Sequence, residues 1–334
     1  MRKPDFNNIL KVLRREAPDR PTLFEFFLNH NLYARVAGCT PENFDYSVES
    51  MCHAFNAAGY DYATVSGSAF GFPALEKKRN QTYSLNDGVS IACRADFDAY
   101  PWPDPDAFDY SAVKDADVPA GMKLMVNGPC GVLENAISLV GYDNLALMIF
   151  DDEQLVYDVF EQVGSRLLRY YELSIKNNNV GLLMSNDDWG FNTQTMISPR
   201  DMARFVFPWH KKIVALAHET GIPAVLHSCG NLREVMDAVI NDMKFDGKHS
   251  YEDIIQPVED AYREYSDRIA ILGGIDLGFI TTGTPEEITA RCKKMLEIGQ
   301  KGYALGTGNS VPDYVPHENY FAMTKAALGD RYGY

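Results

Sequence analysis

Short apolar runs alternate with longer stretches of mixed apolar and polar residues along most of the chain, the signature of repeated βα units. Runs at 22–27 (TLFEFF), 62–65 (YATV), 123–126 (KLMV), 180–184 (VGLLM), 224–227 (AVLH), 269–272 (IAIL) and 303–305 (YAL) predict strands, and a weaker run at 243–245 supplies an eighth. The helix starts are sharper. Ser198-Pro199-Arg200-Asp201 and Thr284-Pro285-Glu286-Glu287 each place a hydroxyl cap, a proline at the first helical position and an acid at the third. Ser250-Tyr251-Glu252-Asp253 repeats the pattern without proline. Helices are predicted over 199–219, 251–265 and 285–298. Residues 68–122 break the rhythm, with Pro73, then Pro101-Trp102-Pro103-Asp104-Pro105, and no helical period. A long irregular stretch inside a compact fold is usually functional. The expectation is α/β: a single (β/α)8 TIM barrel over 1–334, with an irregular insertion at about 68–122.

Length and charge narrow the function. The 334 residues permit two domains or one large barrel. With 31 Lys+Arg against 46 Asp+Glu, the formal charge is −15. No basic cluster exceeds Lys77-Lys78-Arg79 or Lys211-Lys212, so nucleic acid and anionic membrane surfaces are disfavoured partners. A substrate rich in carboxylates is disfavoured for the same reason. No apolar stretch is long enough to span a bilayer, and the N-terminus lacks the apolar run of a signal peptide. The six cysteines (Cys39, Cys52, Cys93, Cys130, Cys229 and Cys292) are widely scattered, as reduced thiols in a cytoplasm would be. A cytoplasmic protein is expected.

In a parallel barrel the reaction site forms at strand C-termini. Here those positions are polar and glycine-rich: Glu25, Asn127, Asn186-Asp187-Asp188-Trp189, His227-Ser228-Cys229-Gly230, Asp246-Gly247-Lys248-His249, Gly274-Ile275-Asp276 and Gly306-Thr307-Gly308-Asn309. Any one such loop can be an ordinary tight turn. Their recurrence around the barrel points to a ligand pocket. His227 and Cys229 lie two apart on an extended segment and share a side, which suits two zinc ligands or a hydrogen-bonded imidazole beside a small buried thiol. A third ligand is open among Asp187, Asp246 and His249. Asp187-Asp188 is either a general acid pair or a helix-capping pair. Asp246, Lys248 and His249 bring three titratable groups to one strand end, as proton donors or as a salt-bridged turn. Trp189, Phe191 and Phe26 suit an aryl ring or the core.

Several of these residues resemble the uroporphyrinogen decarboxylase superfamily: Ile197-Ser198-Pro199 with Phe207-Pro208, His227-Ser228-Cys229-Gly230, Gly273-Gly274-Ile275-Asp276, Glu318-Asn319, and the opening 14–20 leading into Pro21. The resemblance implies one TIM barrel and either a decarboxylase or a corrinoid-linked methyltransferase. Decarboxylases of the family carry an Arg-rich segment after the first strand. Here that segment is Phe24-Glu25-Phe26-Phe27-Leu28-Asn29-His30, apolar and acidic. Methyltransferases acting on thiols carry zinc on a His-x-Cys pair, matched by His227 and Cys229, plus a later Cys, absent from 307–310. The strings around Lys248-His249-Ser250 and Thr307-Gly308-Asn309-Ser310 are similar to a subgroup that includes aryl methyl ether demethylases. The resemblance therefore implies transfer of a methyl group from a small methoxylated aromatic to the cobalt of a corrinoid protein, with a homodimer as an option. The alternative it leaves is a methylcorrinoid:thiol or pterin methyltransferase, which would hold zinc on His227 and Cys229. Asp246, Lys248, His227, Asp187 and Asp188 are the implied catalytic candidates. Glu25, Asn127, Asn186, Trp189, His249, Asp276 and Asn309 are the implied substrate-binding ones.

Overall fold

The computed structural model describes residues 2–73, 84–86 and 88–329; the Lys77-Lys78-Arg79 cluster and part of the 68–122 insertion lie outside them. Seven strands form one sheet in chain order: β1 (Tyr62–Ser66), β2 (Lys123–Asn127), β3 (Val180–Asn186), β4 (Ala224–His227), β5 (Gly247–His249), β6 (Ala270–Leu272) and β7 (Tyr303–Ala304). Every pairing is parallel. Strand β3 is buried at every position because both sheet faces are covered, which is why its first five residues, 180–184, read as an apolar run.

Residues 22–25 close the curl. Leu23 forms a parallel bridge with Leu305, and the main-chain N–H of Phe24 donates to the Leu305 carbonyl at 2.8 Å. On the other side, the Tyr62 hydroxyl of β1 reaches the Glu25 carbonyl at 2.5 Å. The result is a barrel-like α/β fold. The expected strand at 22–27 is thus reduced to one bridge. Where the ladder would continue, the Glu25 side chain accepts the Thr307 N–H at 2.7 Å.

Two other expectations need correction. The run at 243–245 is not a strand. It follows the π-helical turn Ala238–Asp242, and Lys244 adopts a left-handed backbone (φ 63°) before β5 starts at Gly247. Strand β5 (GKH) has no apolar run, so hydropathy could not reveal it. The helix expected at 251–265 begins only at Val258. Pro257 disfavours helical backbone in the residue before it, and 251–257 remain as turns. The other two helices sit where expected. Pro285–Ile298 is regular, whereas 199–219 contains the π-helical turn Met202–Val206 just ahead of Pro208, whose missing N–H interrupts the regular ladder.

Among its described residues the insertion holds the short helices Arg94–Ala99 and Ser111–Lys114. Its Trp102 packs against Tyr100 (4.6 Å between ring centres) and lies under the Arg166 guanidinium. No single helix among the described residues is long and apolar enough to cross a membrane.

Candidate functional site

The parallel register brings the polar strand ends to one rim: Ser66 pairs with Asn127, Asn186 with His227, and His227 with His249. Asp187 and Asp188 follow β3 directly and separate at once. Asp187 is fully buried, and its carboxylate accepts from the main-chain N–H groups of Leu133 (2.9 Å) and Glu134 (3.0 Å), at the start of helix Val132–Val140. It also meets His210 Nε2 at 2.9 Å, and His210 Nδ1 meets the Ser185 hydroxyl. Its lone pairs are occupied in capping that helix. Asp188 instead turns toward the rim, where its Oδ1 accepts from the Cys229 N–H at 2.8 Å and lies 3.9 Å from His227 Nε2. Burial raises its pKa.

The Cys229 sulfur is 3.8 Å from the same His227 Nε2. One ligand atom from each of Asp188, His227 and Cys229 lies within 4.8 Å of the others. Ligands on a tetrahedral zinc ion stand roughly 3–4 Å apart, given bonds of about 2.0–2.3 Å. The donor set therefore fits a zinc ion. A hydrogen-bond chain sets the imidazole correctly for that role. The Thr307 carbonyl can only accept, so His249 Nε2, 3.2 Å away, carries the proton. His249 Nδ1 is then the acceptor for His227 Nδ1–H at 2.7 Å. That leaves His227 Nε2 with a free lone pair facing Cys229 and Asp188. Burial holds both imidazoles neutral, His249 down to about 3 and His227 well below its ordinary range.

Cys229 receives hydrogen bonds from the Asn309 amide (3.0 Å) and the Ser250 hydroxyl (3.5 Å). Burial, and the Asp188 carboxylate after it, push the thiol up to about 12. A cation between the two groups would reverse that balance. The two loops carrying the donors are locked together by glycine: a Cβ on Gly230 (φ 85°) would lie 2.1 Å from the Gly190 carbonyl.

The remaining candidates divide. Lys248 lies on the opposite side of β5 from His249, and its ammonium donates to the Ser250 carbonyl at 2.5 Å and sits 4.3 Å from the Tyr251 ring centre. Burial lowers it to about 8. It braces Ser250, whose backbone is left-handed (φ 83°). Asp246 precedes β5 and so sits at the other end of the barrel, accepting from the Ala224 N–H and facing His218 Nε2, both at 2.8 Å. The displaced strand is the reason: an acid ending a strand at 243–245 would face the rim, whereas one entering a strand at Gly247 faces away. Asn186 accepts from the Gly128 N–H and braces β2 against β3, while the Asn127 amide donates to the Gly128 carbonyl. Asp276 caps helix Leu277–Thr282. Trp189 is fully buried against Phe207 and His210. Phe191 is exposed and meets Tyr142 edge-on. Phe26 lies 4.6 Å from the His227 ring and stacks at 4.0 Å on Phe27. Beyond Phe27 opens a cavity of about 610 Å3, lined also by Tyr33, Tyr46, Met51, Thr64 and Ser66. Residue reasoning placed Thr307 and Ser250 in the polar strand-end strings without giving them a role at the site, and missed Glu134, which is pushed to about 8 by burial and by the Asp187 and Asp188 charges. Only Gly131, three residues before Glu134 in a capping pattern, hinted at it.

A parallel barrel whose rim carries a cluster of metal donors defines the class. Residues 122–328 match the uroporphyrinogen decarboxylase (URO-D) family model, and the chain belongs to that family. It is 29% identical over 134 residues to the methylcobamide:CoM methyltransferase MtbA of Methanosarcina mazei, an overlap covering 39% of this chain and 37% of that protein. It is 24% identical over 198 residues to a uroporphyrinogen decarboxylase of Synechococcus, covering 58% of this chain and 53% of that one. The matched part is thus a little over a third of the methyltransferase's length and about half of the decarboxylase's. A solved methyltransferase from Methanosarcina mazei shares the fold, with a TM-score of 0.67 at 16% identity over 96% of this chain and 97% of its own.

Proposed function

We propose that this protein transfers a methyl group from a small methoxylated aromatic to the cobalt of a corrinoid carried by a separate protein. The observation that supports methyl transfer is the Asp188–His227–Cys229 cluster at the barrel rim, with the His227 Nε2 lone pair turned toward the other two donors. The cluster serves a thiol acceptor equally, and the arene rests on the apolar wall of Phe26 beside it. Zinc, when bound there, supplies a Lewis acid that draws electron density from a departing oxygen. Cobalt(I) of the corrinoid substrate attacks the methyl carbon, the O–CH3 bond breaks with its electron pair going to oxygen, and methyl-cobalt(III) and a phenolate result. The chain's own residues bind and orient the ether so that this displacement is collinear. Phe26, against the His227 ring, offers a flat apolar wall to an arene.

Charge supports the same reading over a decarboxylase. Segment 24–30 holds no Lys or Arg, its one acid is buried, and Lys248 is committed to main-chain carbonyls. An octacarboxylate would meet no cation there. The likeness to a methylcobamide:CoM methyltransferase favours a second reading, with a thiol as methyl acceptor. One experiment separates them: reduced corrinoid protein and a panel of methoxyarenes are mixed with the zinc-loaded chain, and methyl-cobalt is followed by absorbance. Methyl-cobalt should form with at least one arene. No signal with any arene, together with methylation of a thiol by methyl-cobalt, would establish the second reading instead.

A further inference from the structure

Glu25 is fully buried, yet it contacts neither Asp188, His227 nor Cys229. Its carboxyl group faces one residue, Thr307, whose N–H donates to Oε1 at 2.7 Å and whose hydroxyl lies 2.6 Å from Oε2. The same hydroxyl also donates to the main-chain carbonyl of Asn309. A threonine hydroxyl has one proton and a carbonyl has none. One proton cannot be donated fully to both oxygens, so the arrangement is best satisfied when Glu25 supplies the proton to Thr307 Oγ1 as a carboxylic acid.

Thr307 is a hub for the metal donors. Its carbonyl accepts His249 Nε2–H and so fixes the tautomer of His249 and, through it, of His227. Its hydroxyl holds the Asn309 main chain, whose side-chain amide donates to the Cys229 sulfur. We propose that Glu25, in its neutral acid form, is the positioning residue of the cluster. It holds Thr307 so that the His227 Nε2 lone pair and the Asn309 amide point at the metal position and at Cys229. The metal part of this proposal rests on reading Asp188, His227 and Cys229 as a zinc site; the tautomer part does not.

The test uses the full chain labelled with nitrogen-15 at histidine, after chelator treatment, and then titrated with zinc or cobalt(II) against a chromophoric chelator. In the parent chain, side-chain nitrogen shifts should show the proton on His249 Nε2 and on His227 Nδ1. Glu25→Ala should mix the tautomers and weaken metal binding ten- to hundredfold, the usual cost of losing an outer partner of a ligand. Glu25→Gln should keep both properties, because its NH2 replaces the acid O–H and its carbonyl still accepts the Thr307 N–H. If Glu25→Ala fails to fold, Thr307→Val and Thr307→Ser make the same comparison, the serine restoring what the valine loses. Equal damage from Gln and Ala would show that a carboxylate is needed and overturn the proposal, as would unchanged tautomers in Glu25→Ala and Thr307→Val. A chain that binds no metal but keeps Glu25-dependent tautomers would sink the zinc reading and leave the positioning role standing.

Discussion

A buried thiol beside a carboxylate gains nothing by ionising unless a cation stands between them. Cys229 and Asp188 form such a pair, with the thiol pushed up to about 12. Zinc binding should therefore release a proton from Cys229 and become weaker as the pH falls. Cys229→Ser should lose the metal, measured as zinc per chain, and lose methyl transfer with it. Circular dichroism should stay unchanged, because Cys229 sits on a rim loop outside the apolar core. Loss of helix content in that variant would make the metal structural. Glu25 gives a second residue-scale test. Its pKa rises from 4.5 to about 8 with burial. A carboxyl group with a raised folded-state pKa stabilises the fold fully below its unfolded value, and that stability drains away as the pH climbs through the folded value. Thermal stability of Glu25→Gln, relative to the parent chain, should thus rise between about pH 4.5 and 8. A difference independent of pH would contradict a neutral buried acid.

At the scale of elements, the donors sit on two loops, after β3 and after β4, whose spacing is set where Gly190 meets Gly230. Gly230→Ala places a Cβ on left-handed backbone and drives it into the Gly190 carbonyl, a cost of roughly 1–3 kcal/mol from the backbone alone. It should lower the melting temperature and weaken zinc binding together. An alanine that changes stability but not metal affinity would show that the loops are positioned elsewhere. The same scale explains what the sequence could and could not reveal. Strands with apolar side chains on both faces, such as β2 and β3, were legible because burial dictates their composition. β5 was not, because its residues serve the rim: Gly247 is small, Lys248 braces a loop and His249 carries a hydrogen bond. The misplaced strand then carried Asp246 to the wrong end of the barrel. His227 and Cys229 were visible by spacing, but the third donor was sought at Asp187, Asp246 and His249, whereas the residue that completes the trio is Asp188, the neighbour of Asp187. Only the capped helix at Val132–Val140 distinguishes them, and it lies over fifty residues away in sequence.

For the whole molecule, the path of the hydrogen bonds from His227 to Glu25 matters as much as its end. It runs around the circumference, from β4 to β5, across to the loop after β7, and into the segment that bridges β7 and β1. Ordering His227 at one point of the ring and zipping the ring shut at another should then be coupled. Metal ions, added to the chelated chain, should slow hydrogen exchange at the Phe24 and Leu305 amides, which hold the bridge, as well as near the rim. Protection confined to the rim would uncouple the two. The seam that closes the barrel is in this sense a remote reporter of whether the site is filled.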